Sequence, residues 1–408
     1  MLQGTGTAAV QIFFRSGFRI AAVCTLSQSF APSALRRARW VSRSLFAVLG
    51  VFVGVWGAHI PSVKSHYGLD EATLAGVLLS GALGALGMLL FAGRVVARLG
   101  TRHAALFAGL LLSLAFSLML KMPGRAGLVL LVFSFGAGTS LLDVSLNSEA
   151  VELELLGGRA IMSNLHAMYS LGGMFGAGLV AVLLRAGLLP APQLAGVAAA
   201  LAAVLALGTR GMLGRGSADA EAAHFAWPRG RLLLIGLLVL AGLTAEGAVS
   251  DWGVLYIKQE LGLPQAHAAL GYAAFAGAMA ASRLVGDALR ERFAEPVLLA
   301  AGACVVAVAM AAVLLIGTPG VALVGFALVG AGLAPVVPIL YNAATRVPGV
   351  SRAAAIASVS SIGYCGFLIG PPLIGSLAHV RSLTAALSVV VVMAALLAVG
   401  ARYVPAKA

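Results

Sequence analysis

Charge is what this chain has least of. Only 10% of its 408 residues are Asp, Glu, Lys or Arg, against about 25% in an ordinary soluble domain. With 61% hydrophobic residues, a water-soluble body could not cover itself with polar surface, which excludes a soluble globular fold. The same figures exclude disorder, which needs low hydrophobicity and high charge. Cysteine is almost missing. Cys24, Cys304 and Cys365 stand far apart, a spacing that supports neither a disulfide framework nor a metal site. There is no G-x-x-x-x-G-K-[ST] nucleotide loop and no H-E-x-x-H zinc helix, so an ATP-driven pump and a metalloprotease lose their sequence basis. No cofactor and no metal are expected.

What the chain does have is long apolar runs broken by short charged stops. About 20 apolar residues cross a hydrocarbon core of about 30 Å. The runs predict spans at 43–63, 72–95, 104–121, 126–149, 160–185, 192–209, 232–256, 266–288, 297–316, 320–345, 353–378 and 383–402. They lack the alternation of barrel strands, and a backbone in lipid must bond to itself, so the spans are helices. The expected fold is an all-α membrane protein with twelve transmembrane helices in two six-helix halves. Residues 43–208 make the first half, 209–231 a central cytoplasmic linker and 232–408 the second half. Residues 1–42 contain five Arg and no acid, and their longest uncharged run, Ile20 to Leu35, has 16 residues. That run is too short and polar to span, so a disordered cytoplasmic extension is expected.

The net charge of +13 would suggest nucleic acid in a soluble protein. Here it fits the positive-inside bias instead. With the N-terminus inside, 20 of the 27 Lys and Arg fall in cytoplasmic segments and 6 in outside loops, Arg283 lying within a helix. Both termini are therefore expected in the cytoplasm. Arg outnumbers Lys 23 to 4 in a chain rich in Ala and Gly, a bias that suggests a bacterial inner membrane. The expected partners are the lipid bilayer, a small-molecule substrate and protons, with no nucleic acid, and the chain is expected to act as a monomer.

The two halves repeat one another. Gly68-Leu69 answers Gly262-Leu263 and Gly136-Ala137-Gly138 answers Gly330-Ala331-Gly332, both at an offset of 194. Gly93 answers Gly286 and Arg159-Ala160 answers Arg352-Ala353 at 193. A Trp-Gly pair opens each half, at Trp56-Gly57 and Trp252-Gly253. Matches held at one offset are the mark of transporters whose halves move about a midplane site.

This plan resembles the major facilitator superfamily. The segment from Gly93 through Arg94, Arg98 and Gly100 to Arg102 looks like that family's loop between helices 2 and 3, G-x-x-x-D-R-x-G-R-R. It departs at Ala97, where the family has Asp, and at Thr101. The counterpart from Arg283 to Arg290 keeps an acid at Asp287. Two stretches, Asp143 to Gly173 and Glu246 to Trp252, are similar to a bacterial branch of fucose-permease-like proton symporters. The resemblance implies secondary transport by alternating access. It also implies a conformational gate from Gly93, Arg94, Arg98, Arg102, Glu152, Arg159, Arg283, Asp287 and Arg290.

An ionisable side chain at mid-membrane costs about 2.5–3.5 kcal/mol on insertion scales, so each one needs a reason. Asp143 and Asn147 share a helical face by their spacing of four, and His166 and Ser170 repeat that spacing in the next span. Asp143 and His166 sit at similar depth and could form a protonatable pair, or a neutral cluster joining two helices. Asn164, Tyr169, Glu246, Asp251, Asn342 and Tyr364 complete the candidate substrate and proton ligands. Arg283 is read as lying near a helix end, so no Lys or Arg is expected at mid-membrane. That absence favours a small neutral polar or cationic solute. The expected function is proton-coupled secondary transport. Efflux of drugs or metabolites, an intramembrane enzyme and a non-transporting receptor stay open beside it, and no enzyme activity is expected.

The charge count makes a direct prediction. Topology reporters fused after Arg102 or within 215–225 should read cytoplasmic, and those after Lys64 or Arg381 external. An external signal from the central linker would break the six-plus-six plan.

Overall fold

The computed structural model describes residues 31–159, 161–214 and 228–405. Most of the N-terminal extension, with Cys24, lies outside the described residues, as does the stretch of linker holding His224 and Trp227. The rest is helical. In chain order the helices are α1 (Pro32–Tyr67), α2 (Glu71–Leu118), α3 (Gly124–Gly157), α4 (Met162–Arg185), α5 (Pro190–Gly208), α6 (Arg231–Gln259), α7 (Gln265–Arg292), α8 (Glu295–Ile316), α9 (Pro319–Leu333), α10 (Val336–Ala344), α11 (Arg352–Val380) and α12 (Leu383–Gly400). Eleven of the described stretches are long and apolar enough to cross a membrane.

Eleven stretches serve twelve crossings because α2 is two spans. Its 48 residues would run roughly 72 Å at 1.5 Å per residue, about twice a bilayer core. The axis breaks at Gly100, whose φ of 76° and ψ of 157° are not helical, a conformation that glycine alone adopts readily. Two helices thus meet at the turn between the second and third spans, inside the arginine-rich loop. Asp70 caps the start of α2, its Oδ1 accepting from the Thr73 N–H at 2.7 Å. That bond holds its carboxyl below the usual carboxylate range.

The reverse happens at the tenth crossing, where one apolar run becomes two helices. Pro335 has no N–H to offer, and α9 ends just before it at Leu333, with α10 starting at Val336. Pro371 and Pro372 lie inside the continuous α11. The first span also differs from its expected bounds. Its helix begins at Pro32, eleven residues before 43, so 32–42 are helical rather than an irregular extension. Proline at a helix start has the φ the helix needs and no amide to waste.

Helices cross where glycine lets backbones touch. A Cβ on Gly50 would collide with the Tyr169 carbonyl and one on Gly54 with the Gly173 carbonyl, which brings α1 onto α4. Gly84 stands in the same way against the Phe133 carbonyl, joining α2 to α3. The second half repeats both crossings. Gly366 of α11 lies on α6, where a Cβ would stand 2.8 Å from the Leu240 carbonyl oxygen, and Gly330 of α9 meets the Phe275 carbonyl of α7. Small residues at such crossings let dispersion replace the hydrophobic drive that lipid removes. Between the halves, α4 packs on α7 and α2 on α11, leaving a cavity down the middle.

The glycine contacts are testable. Gly54→Val forces a side chain into the α4 backbone and should cost about 1–3 kcal/mol or more, read as a lowered melting midpoint in detergent. Gly178→Ala, whose Cβ would meet open space, should leave that midpoint unchanged.

Candidate functional site

Two cavities lie end to end between the halves. The larger, about 710 Å³, opens on the side of the described termini and is lined by Asn147, Ser163, Glu246, Arg290, Pro335 and Tyr341 among others. The smaller, about 410 Å³, points the other way and is lined by Trp56, Thr139, Tyr169, Asp251 and Phe367 among others. Leu89, Asp143, His166, Arg283 and Tyr364 line both. These five residues form a waist, and three of them, Asp143, His166 and Arg283, can carry charge near neutral pH.

Each waist residue is placed by its helix. Asp143 is fourteen residues before the end of α3 at Gly157, roughly 21 Å along the axis at 1.5 Å per residue. The expected end at 149 put it much nearer a surface. One turn on, Asn147 Nδ2 donates to Asp143 Oδ1 at 3.0 Å and to its carbonyl at 2.9 Å. His166 stands in the first turns of α4, its ring edge-on to Phe46 at 5.5 Å between centroids. No hydrogen bond joins Asp143 to His166 among the described residues. The two share the waist without forming the direct pair that their spacing suggested.

Arg283 corrects the sequence reading most. It lies eighteen residues into α7 and nine before its end at Arg292, at the waist where the two cavities meet. Its side chain crosses between halves: Nη1 donates to Ser170 Oγ at 2.7 Å and to the His166 carbonyl at 3.4 Å, both on α4. The cavity therefore does hold a central cation, and Arg283 belongs to the site rather than to an end-of-helix gate. The repeat gives no signal for this: at the local offset of 193, set by Gly93 and Gly286, its counterpart is Leu90, which lines neither cavity.

Glu246 lines the larger cavity, Asp251 and Tyr169 the smaller, and Tyr364 both. Asp251 therefore faces the interior. Asn164 and Asn342 do not line either cavity. Asn164 Oδ1 accepts from Arg43 Nε at 2.9 Å, tying α1 to α4. Asn342 Nδ2 donates to Glu295 Oε1 at 2.9 Å.

The expected gate is rearranged in the same way. No ion pair joins Arg94, Arg98 or Arg102 to Glu149 or Glu154 among the described residues. Glu149 is fully buried and accepts from the Thr101 hydroxyl at 2.7 Å and from the Leu213 and Gly214 amides. Backbone and hydroxyl donors are close and already ordered, whereas a guanidinium would pay rotamer entropy to arrive. Glu154 accepts from the Ile161 and Met162 amides at 2.6 and 2.9 Å, capping α4. Gly93, Arg94, Arg98 and Arg159 are exposed, and the Asp287 side chain lies outside the described residues.

In the second half a buried acid missing from the sequence reading does the equivalent work. Glu295 pairs with Arg290 at 2.9 Å and Arg346 at 2.6 Å, beside Asn342. The repeat would have found it: Thr101 answers Glu295 at 194 and Glu149 answers Asn342 at 193, one bonded pair with donor and acceptor exchanged.

On the side away from the termini the halves are latched. Gln265, the first residue of α7, donates from Nε2 to the Ala58 carbonyl at 2.8 Å and to Ser62 Oγ at 2.7 Å on α1. Nearby, Gly375 of α11 meets Ala75 of α2. The structure is therefore shut at that end and open at the other.

Twelve apolar crossings in two repeated halves, with a charged waist between opposed cavities, define a multi-pass membrane transporter. Its family follows from sequence. The pattern of the Major Facilitator Superfamily matches residues 45–354, and the chain belongs to that family of secondary transporters. An uncharacterised transporter of this type from Yersinia pestis is 33% identical over 364 residues, covering 89% of this chain and 94% of that protein. Membrane protein MosC of Rhizobium meliloti is 28% identical over 358 residues, 86% of each. Among solved structures, the nucleoside transporter NupG in a mutant form has a TM-score of 0.71 at 14% identity, covering 91% of this chain and 98% of that one. A bacterial homologue of the human lysosomal transporter Spinster, inward-facing and unoccupied, scores 0.69 at 14%, with 92% and 98% covered. The transporter FucP in its outward conformation scores 0.61 at 18%, with 90% and 98% covered.

The bonds to the buried Glu149 are testable. Glu149→Ala leaves a hydroxyl and two amides without their acceptor, at about 1–3 kcal/mol for each group that stays buried and unpaired. The melting midpoint should fall clearly, while Arg94→Ala, at an exposed position, should leave it within error.

Proposed function

We propose that this chain is a proton-coupled secondary transporter of a small polar solute, acting as a monomer in a bacterial inner membrane with both termini in the cytoplasm. On this reading residues 43–208 and 232–408 rock as two bodies joined by the linker 209–231, and the larger cavity faces the cytoplasm. The observation that carries the reading is the waist, where Asp143, His166 and Arg283 line both cavities at once. A solute or proton held there is within reach of each cavity, as alternating access requires.

Asp143 is the coupling acid. It is held by a single side-chain hydrogen bond from Asn147 and has no ion pair of its own among the described residues, so a proton can come and go without dismantling a salt bridge. Protonation removes the charge that would oppose closure across low-dielectric surroundings. His166 and Glu246 line the same cavity as Asp143 and are the candidates to relay that proton. The expectation of a neutral or cationic solute rested on a waist without a cation, and Arg283 removes that ground.

The test uses proteoliposomes with a pH-sensitive dye inside, and solutes first selected by thermal shift. Wild type should acidify the lumen when solute is added outside. Asp143→Asn keeps size and hydrogen bonding but holds no titratable proton. It should retain solute exchange and lose the acidification. Acidification at the wild-type rate in Asp143→Asn would end the coupling role.

A further inference from the structure

Arg283 is a cation at the centre of a membrane protein with no acid paired to it. Its Nη1 bonds neutral oxygens, Ser170 Oγ and the His166 carbonyl, and Nε and Nη2 have no protein partner among the described residues. The nearby acids are turned elsewhere. Asp143 takes Asn147. Glu246 shares the larger cavity with Arg283, yet no ion pair forms between them. The other arginine on that cavity, Arg290, is paired with Glu295. An unpaired guanidinium in such a place is costly, and its planar fork matches a carboxylate through two parallel hydrogen bonds.

We propose that the solute carries a single carboxylate, that this group docks on Arg283, and that docking draws Nη1 away from Ser170 and His166. The inference deepens the proposed function and rests on the waist being the solute's path. In the unloaded state Arg283 ties α7 of one half to α4 of the other. The carboxylate competes for the same donors, so loading the site also loosens the contact across which the halves must move.

Charge counting selects a monoanion. Among the described cavity-lining residues there is one unpaired arginine, and its repeat counterpart is the apolar Leu90. A phosphate monoester brings about −1.5 to −2 charges at neutral pH, more than one guanidinium offsets. A carboxylate brings one. An ionised Asp143 at the same waist would repel that carboxylate, and a protonated one would not. One proton on Asp143 and one carboxylate on Arg283 thus bind together with no net change of charge, which makes solute and proton partners in a symport. The cavity of about 710 Å³ is of the size that holds a small organic molecule.

The experiment is equilibrium binding to purified full-length protein, read as thermal shift. The probes are lactate, benzoate and gluconate against the neutral polyols mannitol and inositol and the amines ethanolamine and choline. At least one carboxylate should raise the melting midpoint. Arg283→Gln should weaken that carboxylate's apparent affinity at least tenfold, and Arg283→Lys, which keeps the charge but not the fork, should fall between. Ser170→Ala, which removes the competing tie and leaves the guanidinium, should tighten it. Monodisperse elution of each variant shows that it is folded; if Arg283→Gln is not, the graded loss in Arg283→Lys and the gain in Ser170→Ala carry the test. A shift confined to polyols or amines, no shift with any carboxylate, or a carboxylate shift that survives in Arg283→Gln overturns the proposal. Binding needs no gradient, so this result stands apart from the liposome assay of Asp143→Asn, whose failure would remove proton coupling alone.

Discussion

An ion inside hydrocarbon has no water to turn to, and that single cost organises this protein. It removes charge from nearly the whole chain, leaving 41 charged residues in 408. It drives most of those to the helix ends, where they set orientation. The few that stay inside must be bonded or used. Glu149 and Glu295 are bonded, one by a hydroxyl and backbone amides, the other by two arginines and an amide. Asp143, Glu246, Asp251 and Arg283 are held by fewer protein bonds and line the cavities instead. The contrast separates groups that brace the halves from groups free to meet a proton or solute.

The bracing groups share a logic across the repeat. Thr101–Glu149 and Glu295–Asn342 occupy matched positions in the two halves, each joining the start of one crossing to the end of the next on the terminal side. The waist breaks that symmetry. Asp143, His166 and Leu89 come from the first half, Arg283 and Tyr364 from the second. The bracing is alike in the two halves, whereas the waist draws different side chains from each.

The fold was legible because hydropathy and repeats are properties of the chain itself. Apolar run length marked the crossings, and the break at Pro335 follows from a missing amide. Asp143, Asn147, His166, Tyr169, Glu246, Asp251 and Tyr364 were named from cost and helical phase, and all line a cavity. Depth was the weak point. Charged stops mark where lipid ends, not where helices end, so α3 and α7 run on past the expected limits, and only the cavity lining shows that Asp143 and Arg283 meet at one waist. Partner choice was invisible for another reason. Asn164 and Asn342 have the chemistry of ligands, and only packing shows that Arg43 and Glu295 have taken them.

The central claim is that the two halves rock about this waist, closing one side as they open the other. Nitroxide pairs measured by double electron–electron resonance test it without knowledge of the solute. One pair sits at exposed positions on the latched side, Lys121→Cys with Arg381→Cys. The other sits on the terminal side, Arg159→Cys with Arg352→Cys, and both use a background without the native cysteines. Gln265→Ala removes the hydrogen bonds to Ala58 and Ser62. It should lengthen the latched-side distance and shorten the terminal-side distance together. A latched-side pair that lengthens while the terminal-side pair stays fixed would contradict the account, because the ends would then open independently.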